Sequence, residues 1–300
     1  MSYTVKPLEK LDLMDDFLMN AITSNPDVGV PFCREVLSVL LQREIGDIRI
    51  HSQRSVPGLT PEHRGIRMDV EIEEIPDDAK SLPVLNVYDL EPHLQNNLDL
   101  PRHNRFYQAK IDSRYLKSGE RNFARLPNLY VISITTYDPF GYDYMMYTVS
   151  NKCQELPDMD YEDGLQFIYF YTGGSKGGNP QIKEMLQYFQ NSSAENATSD
   201  VLKKIHRYVN NIKIDPEVEL EYMTFEDFLY LEKQKVARIT QAESILKLLE
   251  DYGTIPNSIK EIVMTQKDSS ILDDWLKLAA RAESIQDFID KTGIVIPCTQ

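Results

Sequence analysis

Asp69, in the run Arg67–Met68–Asp69, and the later run Tyr88–Asp89–Leu90–Glu91–Pro92–His93 hold the residue types with the most chemical potential in this chain. Both runs read as short strands. Strand side chains alternate with a period of two, so Asp89, Glu91 and His93 fall on one face. If the two strands are neighbours in a sheet, Asp69 and Glu91 can share a divalent cation. Two carboxylates with a backbone carbonyl and water make an oxygen-rich set of the kind Mg²⁺ or Mn²⁺ prefers. A metal held there can activate water and stabilise charge on a phosphodiester under attack. Acidic residues on a solvated strand face are also common, and an acid–acid–x–His pattern on its own has many chance matches.

The elements that must position these residues are legible as a pattern. Leu11 to Ile22 and Phe32 to Arg43 read as amphipathic helices, the second opened by Pro31 with Glu35 in its first turn. Ile48–Ile50, extending toward Val56, then Ile66–Ile75 and Val84–Glu91 read as strands, separated by the Pro57–Pro61 loop and the Pro76-Asp77-Asp78 turn. Pro92 has no N–H, which predicts that the third strand ends there or lies at a sheet edge. Leu100–Lys117 reads as a helix, Leu129–Thr135 as a buried strand, and Met145–Val149 with Leu165–Tyr171 as a further strand pair. The loop Gly173–Pro180 fails as a phosphate cradle because Asn179 stands where a P-loop needs Lys, and it reads as a strand-to-helix connection. From Gln181 onward the spacing is helical: Gln181–Gln190, Ser199–Ile212, Thr224–Asp251, Ser258–Thr265 and Ile271–Ile289, with the single Trp275 expected in core packing. The order predicts an α/β domain over residues 1–215 and an all-α C-terminal region over 216–300.

Composition sets limits. The chain has 300 residues, 42% of them hydrophobic, with 17 Tyr and 11 Phe, as expected of a globular protein. No apolar run approaches the roughly 18 residues of a membrane span, and the N-terminus lacks a signal-peptide layout. The three cysteines, Cys33, Cys153 and Cys298, are far apart and odd in number, which argues against a disulfide framework or a zinc site. A cytoplasmic protein without a membrane partner is expected. The net charge of −15 argues against nonspecific nucleic-acid binding by the whole surface. Yet Arg102 to Arg125 carries seven Lys/Arg against Asp112 and Glu120, while Lys213 to the end has ten basic and seventeen acidic residues. An acidic tail joined to a body with a basic strip suits a guarded nucleic-acid site and equally a plain solvated helix face.

The ordered set Gly65-Ile-Arg-Met-Asp69-Val, Val87-Tyr-Asp-Leu-Glu91-Pro, Leu100-Pro-Arg-His-Asn-Arg-Phe-Tyr-Gln-Ala-Lys-Ile-Asp112, Asn128-Leu-Tyr-Val-Ile, Tyr137-Asp-Pro-Phe-Gly141 and Cys153 to Gly164 resembles the PD-(D/E)XK nuclease family transposases, also called the recombination-promoting nuclease family. The resemblance spans roughly residues 10–215, and extends more loosely into the helical tail. It implies a restriction-endonuclease-like mixed central sheet flanked by helices, and Mg²⁺- or Mn²⁺-dependent DNA cleavage linked to mobile elements, recombination or phage defence. By that resemblance Asp69 and Glu91 are the metal carboxylates, Glu35 is an additional acid that holds a metal-bound water, and the Pro92 carbonyl completes the shell. Tyr107 and Gln108 match the helix motif that steadies the site or a DNA phosphate.

One departure stands out: His93 occupies the position where the family has Lys or Gln. Histidine can act as a general base near neutral pH, but it reaches less far and offers fewer donors. A surface or hydrogen-bonded histidine just past a strand end is the other reading. Arg67, Arg102 and Arg105 are candidate phosphate contacts, and each could equally be a solubilising or ion-paired residue. The alternative to a DNA endonuclease is a nuclease-fold module that binds DNA or protein without cleaving. A third reading treats the acidic helical tail as an oligomerisation or regulatory module that shields the basic strip until DNA competes. A homo-oligomer is compatible with the sequence, which fixes no interface.

Overall fold

A computed structural model describes residues 6–52, 55–56, 66–76, 84–116 and 118–294. The Pro57–Pro61 loop, the Asp77-Asp78 turn, the Arg67 side chain and Cys298 lie outside the described part. The chain divides into two compact units, residues 1–220 and 221–300.

The first unit is α/β. Its core is a mixed, open six-stranded sheet of β1 (Asp47–Ser52), β4 (Val70–Ile75), β5 (Asn86–His93), β6 (Asn128–Thr135), β8 (Leu165–Tyr171) and β7 (Met146–Val149), in that spatial order. β5 and β6, and β6 and β8, run parallel; the other pairs are antiparallel. β6 is the buried strand that its apolar, β-branched run requires: parallel neighbours flank it on both sides and Val131, Ile132 and Ile134 are buried. A two-stranded ribbon, β2 (Ser55–Val56) with β3 (Ile66–Arg67), stands apart.

Helices cover both faces. On one face lie α1 (Asp16–Ser24) and α2 (Gly29–Leu41): the Ser52 hydroxyl donates to Thr23 of α1 at 2.9 Å, and Arg43, just past α2, reaches Glu74 and Tyr88. α4 (Pro180–Gln190) and α5 (Asp200–Lys213) pack against α2 and extend this layer. On the other face lies α3 (Leu100–Tyr115), whose Ile111 joins Met68, Val87, Leu129 and Val131 in one apolar cluster. The loop ahead of α4 is a helix entry, since the Asn179 side chain accepts from the Ile182 N–H at 2.9 Å.

The second unit is helical: α6 (Pro216–Glu250) enters it, followed by α7 (Asn257–Thr265), α8 (Ser269–Ala279) and α9 (Ile285–Thr292). Trp275 is buried edge-to-face against Phe288, as its spacing predicts.

Four expectations are corrected. The strand expected over 66–75 bends at Met68–Asp69, so Asp69 sits ahead of β4 instead of within it. β5 continues through Pro92 as a central strand. The Thr136 N–H bonds the His93 carbonyl, so His93 turns its polar groups toward β6 and Pro92 turns its own to the opposite side. On that side the β4 ladder has already ended at Val70–Leu90, and the missing N–H leaves no partner unpaired. α2 starts at Gly29, which places Glu35 in the second turn and not the first. The helix expected over 271–289 is two helices, because the Ser284 side chain caps a new start by accepting from Asp287 N–H at 3.1 Å.

Candidate active site

The antiparallel register sets Glu71 opposite Asp89 and Val70 opposite Leu90, and Asp69, just ahead of β4, lies close enough for its charge to act on both Asp89 and Glu91. The next strand over pairs Glu91 with Ser133. Because the period is two, His51, Glu71, Glu73, Asp89, Glu91 and His93 all project from the face that α3 covers.

This is an unusual concentration of buried acid. Asp89 is fully buried and neither of its carboxylate oxygens has a hydrogen-bond partner; Glu91 Oε1 is likewise buried and unpartnered. Burial pushes both carboxyls well above the usual range. For Asp89 the charges of Glu71 and Asp69 push further and Arg114 opposes; for Glu91 the charges of Asp89, Asp69 and Asp16 add to it. Buried polar groups without partners are costly. Three unpartnered carboxylate oxygens facing further acids suit a cation with oxygen ligands. The Pro92 carbonyl turns to the side where β4 has ended.

Two histidines flank Glu91. His93 Nε2 lies 3.8 Å and His103 Nδ1 3.9 Å from Glu91 Oε2, with the imidazoles edge-to-face at 5.8 Å. Burial, reinforced by the nearby His103, lowers the His93 pKa to about 4, which keeps the ring neutral at pH 7. His103 is set by a relay: Asn104 donates to Ser133 Oγ at 2.9 Å and its carbonyl oxygen lies 3.2 Å from His103 Nδ1. Tyr107 packs on His103 at 4.0 Å between ring centres and also borders the α3 cluster. Beside them, a cavity of about 490 Å³ is lined by Asn97, Asp99, Arg102, His103, Phe106 and Tyr107.

Of the residues singled out in the sequence, Asp69, Glu91 and His93 come together, Pro92 lies between the last two on β5, and Tyr107 borders them through His103. Glu35 does not join them: its helix packs on the opposite face of the sheet, and its carboxylate is ion-paired with Lys204 of α5. Gln108 donates along α3 to Asp112, one turn on. Arg102 is exposed and pairs with Asp99 at 3.2 Å, and Arg105 is exposed on the same helix. The basic strip is less free than its count suggests, since Arg114 turns inward to Glu71 and Arg125 pairs with Glu120.

Four contributors escape the sequence reading. His103 lies one helical turn before Tyr107, a spacing that places both on one face. Glu71 and Glu73 continue the alternation that starts at Asp69, so period two could have found them. Asp16, at the start of α1, carries no pattern linking it to Glu91. Protein around its carboxyl, then Asp15, raises its pKa although the residue as a whole is exposed.

No protein-family model, curated protein or solved structure gives a significant match to this chain. Among the described residues no helix is long and apolar enough to cross a membrane.

Proposed function

We propose that the first unit is a restriction-endonuclease-like domain that hydrolyses phosphodiesters in DNA with the help of Mg²⁺ or Mn²⁺. The observation that carries this reading is the meeting of Asp69, Asp89 and Glu91 at the end of the β4–β5 ladder, where both carboxylate oxygens of Asp89 and the Oε1 of Glu91 are buried with no hydrogen-bond partner. Asp69, Glu91 and the Pro92 carbonyl would hold the ion, with Asp89 behind them. Such an ion supplies positive charge to a phosphodiester oxygen and makes water a better nucleophile.

The chain's own groups do the rest. Neutral His93 presents an unprotonated ring nitrogen that orients a water by accepting its hydrogen bond; a ring with so low a pKa holds a proton poorly, so it positions more than it titrates. His103, fixed through Asn104 and Ser133, places a second imidazole against the same carboxylate. The adjoining cavity and exposed Arg102 and Arg105 offer a lane for the charged backbone.

One observation favours a second reading, a nuclease-fold module that binds DNA or protein without cutting: Glu35 and Gln108, the assisting residues of the family motif, are engaged elsewhere. Supercoiled plasmid incubated with Mg²⁺ or Mn²⁺ separates the two. Nicking or linearisation by the wild type and not by Asp69→Ala supports the endonuclease. Cleavage by neither protein supports the binding module, and equal cleavage by both assigns the activity to something other than this site.

A further inference from the structure

The acidic face continues past Asp89 to a second cluster. Glu71 on β4 stands between Asp89 of β5 and His51 of β1, its register partners on either side, and Glu73 follows two residues on. One ligand atom from each of His51, Glu71 and Glu73 can be chosen so that all three lie within 4.8 Å of one another, and His51 Nε2 is 3.4 Å from Glu73 Oε2. Adjacent ligands at about 2.1 Å from one ion are roughly 3.0–3.4 Å apart, so the nearer pair is already at coordinating separation.

Two observations beyond the acids point to an ion. His51 Nε2 is shielded from solvent and has no hydrogen-bond partner, although the imidazole as a whole is 35% exposed at the sheet-edge strand β1. Asp89, wholly buried with both oxygens unpartnered, faces Glu71 across the ladder. Arg114 reaches Glu71 from α3, on the side of the cluster away from His51 and β1. Tyr115 donates to Glu73 at 2.9 Å, the kind of outer hydrogen bond that orients a ligating carboxylate.

We propose that His51, Glu71 and Glu73 bind a divalent transition-metal ion of the Mn²⁺-to-Zn²⁺ type, distinct from the ion held by Asp69 and Glu91, with Asp89 as the carboxylate between the two positions. The imidazole sets the preference. Mg²⁺ favours an all-oxygen octahedral shell with several waters, whereas one nitrogen with two carboxylates suits the later divalent metals. The partly exposed His51 ring at the sheet edge is the route in. This site does not depend on the phosphodiesterase reading, since it requires only binding.

Co²⁺ is the probe, because its visible absorption reports its ligands without any activity. Full-length protein stripped with chelator is titrated with Co²⁺, then with Zn²⁺ in competition, for the wild type, His51→Ala, Glu73→Gln, His93→Ala and Glu91→Gln. The expected result is a Co²⁺ band displaced by Zn²⁺, weakened at least about tenfold in affinity by His51→Ala and by Glu73→Gln, and retained in His93→Ala and Glu91→Gln. His51 lies partly exposed on an edge strand and Glu73→Gln keeps an acceptor for Tyr115, so two variants with intact thermal transitions carry the test. The proposal is overturned if the wild type binds neither ion, if both variants bind as the wild type does, or if the band vanishes with His93→Ala and persists with His51→Ala.

Discussion

Replacing Asp89 with Asn should stabilise the metal-free protein. The residue is fully buried, neither carboxylate oxygen has a partner, and its pKa is raised by burial first and then by Glu71 and Asp69. A carboxyl whose pKa is higher in the folded than in the unfolded chain makes the native state bind more protons. Its stability is therefore greatest at low pH and declines as pH rises from the ordinary value of 3.8 toward the raised one. Above that window the full penalty is present. Asn has nearly the same shape and no charge, and its amide N–H groups can donate to the neighbouring acids, so it removes the charge-dependent penalty there and changes little below pH 3.8. An unsatisfied buried polar group costs about 1–3 kcal/mol, more when charged. For a domain of this size each kcal/mol moves Tm by about 2–4 °C, so an increase of roughly 2–12 °C is expected at pH 8. The assay is chemical and thermal denaturation of chelator-treated wild type and Asp89→Asn at pH 8 and just below pH 4, with and without Mn²⁺. The gain should shrink toward zero at the lower pH, and Mn²⁺ should raise the wild-type Tm more than the variant's. A variant no more stable than the wild type at pH 8, or a gain of equal size at both pH values, would refute the account of this face as a charge cluster held against its own repulsion.

Other outcomes follow from the same geometry. Arg114→Met should destabilise the first unit by about 3–5 kcal/mol, measured by urea titration, because it removes an inward-turned charge partner of the buried Glu71; Glu71→Gln in the same chain should recover part of the loss. Glu74 behaves oppositely to Asp89. Burial raises its pKa, but hydrogen bonds from Tyr88, Gly46, Asn86 and Arg43 outweigh that and hold it below the ordinary value. Its contribution is present above pH 4.5 and lost as pH falls through the lowered value, so Glu74→Gln should flatten that part of the acid-denaturation curve. Asn179→Ala removes the α4 cap and should cost about 1 kcal/mol, read from the urea midpoint. If DNA runs along α3, Arg102→Ala should weaken binding across sequences and lower the slope of log affinity against log salt by about 1.

Local periodicity made the central elements readable: the alternation in 86–93, the apolar run of 128–135 and the helical spacing after residue 180 each report which side of a segment meets a core. That logic also placed Asp89, Glu91 and His93 on one face. It was less reliable at ends, where one capping residue such as Ser284 starts a new helix or a neighbouring ladder stops short, as β4 does before Pro92.

From the sequence alone came the strand that carries Glu91, the α/β order followed by helices, and the shared face of Asp89, Glu91 and His93, because these depend only on the two-residue and 3.6-residue repeats of a single segment. The tertiary structure decided the rest. It put Glu35 against Lys204 on the far side of the sheet, brought His103 and His93 to the same carboxylate, and aligned His51 with Glu71 through the β1–β4 register. Those outcomes turn on which strands pair, in what register, and which face each helix covers. Burial then raises the pKa values of Asp89 and Glu91, an effect that exists only once α3 has closed over the acids.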